Sequence, residues 1–393
     1  MPKSLKNSRV LLGVTGSVAA YKAIDLIRGL KKEEARVTVV MTGAAKEFVT
    51  ALSLELASGG KVYTGLFDEP MSHIELPRQA DIMVIAPATA NTIAKTANGL
   101  ADDLLSACFL AFRGPAVIAP AMNWRMYESP ALKRNLSLLG GNVTVVPPER
   151  GLLACGEEGI GRMAQTEKII EAIKAGLIEK DLTGKHVLVT AGPTREYMDE
   201  VRFISNKSTG KMGYALAAAS KARGADVTLV SGPSSLAPPE GVRFIPVETA
   251  VEMRDAVLGN LRGVAAVIMA AAPADFYPAA RHKGKPDKAS VKSVALKKTP
   301  DILKGLSALP KRPLLIGFSA EFGNDLERAR RKLREKGADM MVFNDVSRKD
   351  SGFGSETNQA VLIGRGFEEA LPLMTKEALS HRILDRLVKL KGL

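Results

Sequence analysis

Cysteine is almost missing from this chain. Two thiols in 393 residues, Cys108 and Cys155, exclude a disulfide framework and a cysteine-based zinc spacing, and they fit a reduced, cytoplasmic setting. Aromatic residues are sparse too, at 5%. No RNA- or DNA-reading motif stands among them, so stacking platforms for nucleic acid are scarce. Long apolar runs are absent, and none approaches the roughly 18 residues of a membrane span. Val10-Leu11-Leu12, behind a basic start, is interrupted by Gly13, Thr15, Gly16 and Ser17, which rejects a signal peptide.

What is there is an ordinary globular composition, 46% hydrophobic and 25% charged, enough to fill a large core. At roughly 150 residues per domain, the length suggests two or three domains. A net charge of +13 marks a binder of anions, and anionic small molecules suit it better than nucleic acid.

Short β-branched runs alternate with helix-period segments. In the first half the strands are expected at Arg9–Val14, Arg36–Met41, Ile82–Ala86, Ala116–Ala119 and Val143–Val146. Between the first two lies an amphipathic helix with Tyr21, Ile24, Ile27 and Leu30 on one side. The pattern restarts with His186–Thr190, Val227–Val230, Ala265–Ala270, Leu314–Phe318 and Met340–Phe343. Such alternation predicts α/β architecture with parallel sheets covered on both faces. Two doubly wound Rossmann-like domains explain the restart better than one giant sheet. A helix at about 165–180 ends near Asp181-Leu182-Thr183-Gly184, so the expected domains are 1–183 and 184–393.

Gly13-Val14-Thr15-Gly16-Ser17 follows the first strand and opens a helix, where backbone amides favour a phosphate. It lacks the G-x-G-x-x-G dinucleotide fingerprint, and Met41-Thr42-Gly43 offers no acidic ribose ligand, so FMN suits it better than NAD. Two Asn-bearing loops, Ala86-Pro87-Ala88-Thr89-Ala90-Asn91 and Ala119-Pro120-Ala121-Met122-Asn123, end successive strands. An open sheet places ligands there. Cys155 stands in Gly151-Leu152-Leu153-Ala154-Cys155-Gly156-Glu157-Glu158-Gly159-Ile160-Gly161. Four glycines in that stretch predict a mobile loop, a lid that carries the thiol over a ligand.

These residues, with Ala19-Ala20-Tyr21-Lys22 and His73-Ile74, resemble in order and spacing the homo-oligomeric FMN-containing cysteine decarboxylases. Within that group they are most similar to the phosphopantothenoylcysteine decarboxylase half of the bifunctional coenzyme A biosynthesis family. The resemblance implies a flavodoxin-like domain with FMN held by Gly16, Ser17, Thr42, Thr89, Ala90 and Asn91. The flavin would oxidise the cysteinyl C–S bond to a thioaldehyde, an electron sink that lets carbon dioxide leave. His73 would act as base or orienting group. Asn123 would hold the carboxylate with Met126 beside the substrate, and Cys155 would protonate the enethiolate. The family's usual Met-Trp is Met126-Tyr127 here, which keeps an aromatic ring.

The second half resembles phosphopantothenate–cysteine ligase of the same bifunctional family, through Thr190-Ala191-Gly192-Pro193-Thr194-Arg195, Asn206-Lys207-Ser208-Thr209-Gly210-Lys211-Met212, Ala272-Pro273-Ala274-Asp275-Phe276 and Phe343-Asn344-Asp345. Ser-Thr-Gly-Lys is not a P-loop, because Met212 follows Lys211. The resemblance implies CTP with Mg2+ and an acyl-cytidylate intermediate that the cysteine amine resolves. Asn206 would engage the acyl intermediate, Asp275 would sit at the cytidine and metal end, and Phe318 would stack on the base. Lys332, Lys336, Asn344, Lys211, Phe353 and Asn358 would contact nucleotide or phosphopantothenate. The family's compact lysine run is spread here over Lys283, Lys285 and Lys288. Spacing from Asp275 favours Lys285 as the key lysine, with Lys288 also toward CTP. Trimers of the first domain joined by dimers of the second are implied as well. A non-catalytic flavin-binding regulator and a nicotinamide-linked oxidoreductase are the rival readings. The first could dispense with Cys155 or His73, and the second wants the missing glycine fingerprint.

Overall fold

A computed structural model describes residues 5–284, 293–323, 325–345, 347, 352, 354–390 and 393. The chain divides into two compact units, one running to Ile178 and the other from Glu179 to Leu393. Both are doubly wound α/β sheets, as the alternation of strand and helix patterns predicts.

In the first unit, β1 (Arg9–Val14), β2 (Arg36–Met41), β3 (Val62–Tyr63), β4 (Ile82–Ala88), β5 (Ala116–Pro120) and β6 (Val143–Val145) form one sheet. Its order is β3-β2-β1-β4-β5-β6, and every pairing is parallel. Leu12 stands opposite both Val39 and Val84. Alternate side chains leave the sheet on opposite faces. Leu12, Val14, Val39 and Val84 therefore pack with Leu26, Ile27 and Leu30. Leu11, Val40, Met83 and Ile85 pack on the other side with Leu104, Leu105 and Cys108. Each such buried aliphatic side chain stabilises the fold by about 1.5–3 kcal/mol. Strands β4 and β5 are buried along their whole length, which is why they read as continuous apolar runs.

Tyr21 departs from its expected place. It belongs to a 3-10 turn, Val18–Tyr21, ahead of the helix Lys22–Lys32. The buried stripe is Ala23, Leu26, Ile27 and Leu30, while Tyr21 is exposed.

The glycine-rich stretch around Cys155 is not loop throughout. It is an antiparallel hairpin of β7 (Glu149–Leu152) and β8 (Glu158–Arg162). A five-residue turn closes it, with the Leu153 amide donating to the Glu157 carbonyl at 2.8 Å. Of its four glycines only Gly156 has a left-handed φ, 82°. Two others serve close packing. A Cβ on Gly161 would lie 2.0 Å from the Met122 carbonyl oxygen, and one on Gly159 2.6 Å from the Trp124 Cβ. Missing side chains let the hairpin main chain lie flat on the loop after β5.

The second unit has an eight-stranded sheet. In spatial order it runs Arg243–Pro246, Asp226–Ser231, His186–Ala191, Val264–Met269, Leu314–Glu321, Met340–Asp345, Ala360–Gly364 and Phe367–Ala370. Only the last two pairings are antiparallel. Helices Lys211–Ala222 and Lys376–Val388 cover one face, where Tyr214, Leu216 and Ala217 share a core with Leu379, Ile383 and Leu384.

Gly161→Ala is expected to lift the hairpin and cost about 1–3 kcal/mol, the usual penalty of overpacking. Gly140→Ala, where nothing lies within 4 Å of the new carbon, is the control. Thermal unfolding of the two variants side by side checks this, and equal midpoints would contradict the packing role.

Candidate active sites

In the first unit the strand order reverses between β1 and β4, the crevice where open α/β sheets bind ligands. A cavity of about 770 Å3 opens there, within the size range of cofactor and ligand sites. Among the residues expected to act, Gly16, Ser17, Thr89, Ala90, Asn91, Asn123, Met126 and Cys155 all line it. Ser17 caps the turn after β1, its Oγ accepting from the Ala19 amide at 3.3 Å. Thr89 caps the helix Ala90–Asn98 after β4. Its amide is held by Thr15 Oγ1 at 3.0 Å, and that hydroxyl in turn donates to the Pro87 carbonyl at 2.7 Å. The β1 and β4 loops are thus tied to each other.

Thr42 does not line the cavity. Its amide donates to the Val14 carbonyl at 3.0 Å, so it sits against the same turn, and its buried hydroxyl has no hydrogen-bond partner. A mostly apolar cleft with polar groups at the helix-opening turn suits a planar ring carrying a phosphate.

Cys155 is the exposed cysteine, and Cys108 is the buried one. Burial, with the Asp103 carboxylate nearby, pushes the Cys108 thiol up to about 12, which makes it inert. At the hairpin tip, Asn123 Nδ2 donates to Cys155 Sγ at 3.3 Å. The thiol faces Glu157 Oε2 at 3.8 Å. Glu157 also accepts from Trp124 Nε1 at 2.8 Å and from Arg125 at 3.0 Å. The Trp124 and Asn123 hydrogen bonds, with the Arg125 charge, hold the Glu157 carboxyl below its ordinary value. It is therefore an acceptor-only carboxylate, and the Cys155 S–H points its proton at it. Neither Glu157 nor Trp124 was anticipated. The signal was slight, an acid two residues after the thiol.

His73 is not brought to Cys155 within the chain. It lies at the start of the helix Ser72–Gln79 and lines a separate hollow of about 390 Å3 with Leu66, Phe67, Met71 and Ala107. Phe67 there is 92% exposed.

The second unit has its own cavity of about 390 Å3. Asn206, Lys211, Asp275, Phe318, Asn344 and Asn358, all expected from the sequence, line it together with Lys376, which was not. Asn206 Nδ2 donates to the carbonyls of Ala272 at 3.2 Å and Pro273 at 2.9 Å. That spends its donors and leaves its oxygen as an acceptor. Lys332 and Lys336 do not line the cavity but pair with Glu321 and Asp301. Lys285, Lys288 and Phe353 lie outside the described residues. Among the described residues no cluster of three or more His, Cys, Asp and Glu is arranged to hold a metal, and no helix is long and apolar enough to cross a membrane.

Residues 1–178 match the Flavoprotein family and residues 182–390 the DNA/pantothenate metabolism flavoprotein C-terminal domain. The chain is therefore a two-unit flavoprotein of pantothenate metabolism. It is 44% identical, over 98% of both chains, to the coenzyme A biosynthesis bifunctional protein CoaBC of Bacillus subtilis (strain 168). The protein of that name from Escherichia coli (strain K12) is 42% identical over 98% of each. A crystal structure of the C-terminal domain of a coenzyme A biosynthesis bifunctional protein CoaBC is 41% identical, covering 54% of this chain and 97% of its own, with a TM-score of 0.47. The chain belongs to the coenzyme A biosynthesis bifunctional family, whose two activities are a flavoprotein decarboxylase and a ligase. The family resemblance read from its motifs is correct.

Glu157→Ala is expected to free the Trp124 indole and the Asn123 amide and to let the hairpin tip wander. A misplacement of about 1 Å at a reacting group costs on the order of 100-fold. Decarboxylation should fall by about that factor while ligation is unchanged. Carbon dioxide release against ligated product separates the two, and an undiminished decarboxylase rate would refute the positioning role.

Proposed function

We propose that residues 1–183 house an FMN-dependent phosphopantothenoylcysteine decarboxylase and residues 184–393 a CTP-dependent phosphopantothenate–cysteine ligase. The observation that carries the first assignment is the Asn123–Cys155 contact on the wall of the switch-point cavity. FMN, when bound, supplies a reversible two-electron oxidation at the substrate's C–S carbon. The chain does the rest. Ser17 and the amides of the turn after β1 hold the phosphate, and the Thr89–Asn91 loop takes the ring. Asn123 orients the departing carboxylate, Met126 packs on the substrate, and Cys155 delivers the proton, its S–H held in line by Glu157.

In the ligase cavity Asn206, its amide fixed by two main-chain carbonyls, presents one oxygen to the acyl group. Asp275 and Phe318 form the nucleotide end, where Mg2+ arrives with CTP. Lys285 supplies the cation that neutralises charge developing on the phosphate. Lys332 and Lys336 would have to leave Glu321 and Asp301 to reach a triphosphate. The basic net charge has its use in binding 4′-phosphopantothenate, its cysteine adduct, FMN and CTP, which all carry phosphate.

The His73 hollow and the Cys155 cavity read as two half-sites. Exposed apolar side chains rim both, Phe67 and Met71 at one, and Val18, Tyr21, Phe48, Met126 and Leu152 at the other. Apolar rims of this extent mark protein contacts. A second copy would supply His73 to Cys155 in a homo-oligomer, with trimers of the first unit joined by dimers of the second. A free Cys155 suits the cytoplasm.

Incubating the protein with 4′-phosphopantothenate, cysteine and either CTP or ATP, and following products by mass, tests the whole reading. 4′-Phosphopantetheine should form with CTP, from protein showing a yellow flavin spectrum. Its absence with both nucleotides would sink the proposal. Mixed oligomers test the half-sites. Co-expressed Cys155→Ser and His73→Asn chains should regain about a quarter of wild-type decarboxylation, since random assembly pairs intact halves at about one site in four. A single-chain site would regain nothing.

A further inference from the structure

Arg162 is a cation on the wall of the first cavity that the mechanism above does not use. The described residues lining that cavity include two cations, Lys22 and Arg162, and no carboxylate. Lys22 opens the helix Lys22–Lys32 behind the Ser17 turn, the end already given to the flavin phosphate. Arg162 is the last residue of β8, on the hairpin that carries Cys155. Its partner across the hairpin is Glu149, the acid that a cross-strand ion pair would use. Glu149 is engaged elsewhere. Lys168 Nζ donates to its Oε1 at 2.7 Å, and Gln165 Nε2 to its Oε2 at 3.1 Å. The Arg162 guanidinium is left without an ion-pair or hydrogen-bond partner among the described residues. Its side chain leans along the hairpin over Gly151, where a Cβ would lie 2.7 Å from Nη1 and 2.9 Å from Cδ.

We propose that Arg162 receives the phosphate of the decarboxylase substrate, and so makes the first unit select the phosphorylated cysteine adduct over the unphosphorylated one. This rests on the decarboxylase reading. Chain length supports it. About twelve bonds separate the sulfur-bearing carbon of 4′-phosphopantothenoylcysteine from its phosphorus, as many as in four residues of main chain, or about 14 Å when extended. From Glu158 to Arg162, β8 covers about 13 Å at roughly 3.3 Å per residue. A substrate whose reacting end meets Cys155 and whose tail runs back along the hairpin therefore brings its phosphate to the Arg162 side chain.

The chemistry of the pair fits as well. A guanidinium presents parallel N–H donors that match two phosphate oxygens. Leu152, Leu153 and Met163 share the cavity wall with it, so water competes less for the pair than on an open surface. Because Arg162 holds no acid of its own, no internal ion pair is given up when a phosphate arrives. The flavin carries the other phosphate in this cavity, and the flavin content of each variant separates the two sources.

Steady-state carbon dioxide release by the full-length protein, from 4′-phosphopantothenoylcysteine and from pantothenoylcysteine, tests this. The flavin-to-chain ratio is read from the absorbance of each preparation. Arg162→Met should raise KM for the phosphorylated substrate about 10- to 100-fold, the range for losing a charged hydrogen-bond partner, with kcat and flavin content kept. KM for pantothenoylcysteine should stay within about twofold of the wild type. Arg162→Lys should restore part of the loss, as a point charge without the fork. Arg150→Met removes the same charge from the neighbouring strand, at a residue that does not line the cavity, and should leave both KM values unchanged. Equal losses on both substrates, an equal loss from Arg150→Met, or a lowered flavin content in Arg162→Met overturn the assignment alone. If the wild type releases carbon dioxide from neither substrate, the decarboxylase reading fails and the assignment falls with it.

Discussion

The first active site depends on how closely two stretches of main chain can approach. The Met122 amide donates to the Gly161 carbonyl at 3.0 Å, and no side chain on Gly159 or Gly161 could fit between the hairpin and the loop after β5. That contact sets the height of the hairpin, and the hairpin sets the place of Cys155. Asn123 leads a short helix directly after Met122, so the same contact fixes both members of the Asn–Cys pair. Trp124 then reaches back to Glu157 and closes the ring of hydrogen bonds. The geometry of this candidate site is held by main chain first and side chains second.

The two cysteines illustrate how environment decides chemistry. Cys108 stands on a helix behind β4, in a core of Met83, Ile85 and Leu105, where desolvation makes the thiolate inaccessible. Cys155 stands at a turn with one amide donor and one carboxylate acceptor around its sulfur. Composition alone could not separate them. The glycine-rich setting and the order of the motifs singled out Cys155, and packing shows how the two sulfurs differ in surroundings.

Both doubly wound sheets were legible because central parallel strands bury both faces and leave continuous apolar runs, as in Ile82–Ala88. The short β3 carries only Val62–Tyr63, too little pattern to detect. The hairpin was misread because glycine counts against a strand in any local scale, whereas here it answers to a neighbour about 40 residues away in sequence. Such long-range demands leave no local periodicity. Lys332 and Lys336 were expected from motif order at the ligase site, but charge complementarity has paired each with an acid nearby. Lys376 was invisible for the opposite reason. A lysine at a helix start is usually solvated, and only the tertiary fold turns this one inward.

That inward turn follows from apolar packing. Helix Lys211–Ala222 lies tight on the strand His186–Ala191, since a Cβ on Gly213 would sit 2.5 Å from the Ala191 Cβ. Helix Lys376–Val388 is held by Leu379, Ile383 and Leu384 in the core that contains Tyr214 and Ala217. Once those faces are buried, the first residues of both helices have one shared direction left, toward the strand ends. Hydrophobic contacts therefore place two lysines and two helix N-termini around one cavity. The electrostatic cost of gathering like charges is offset by the large apolar area the helices bury.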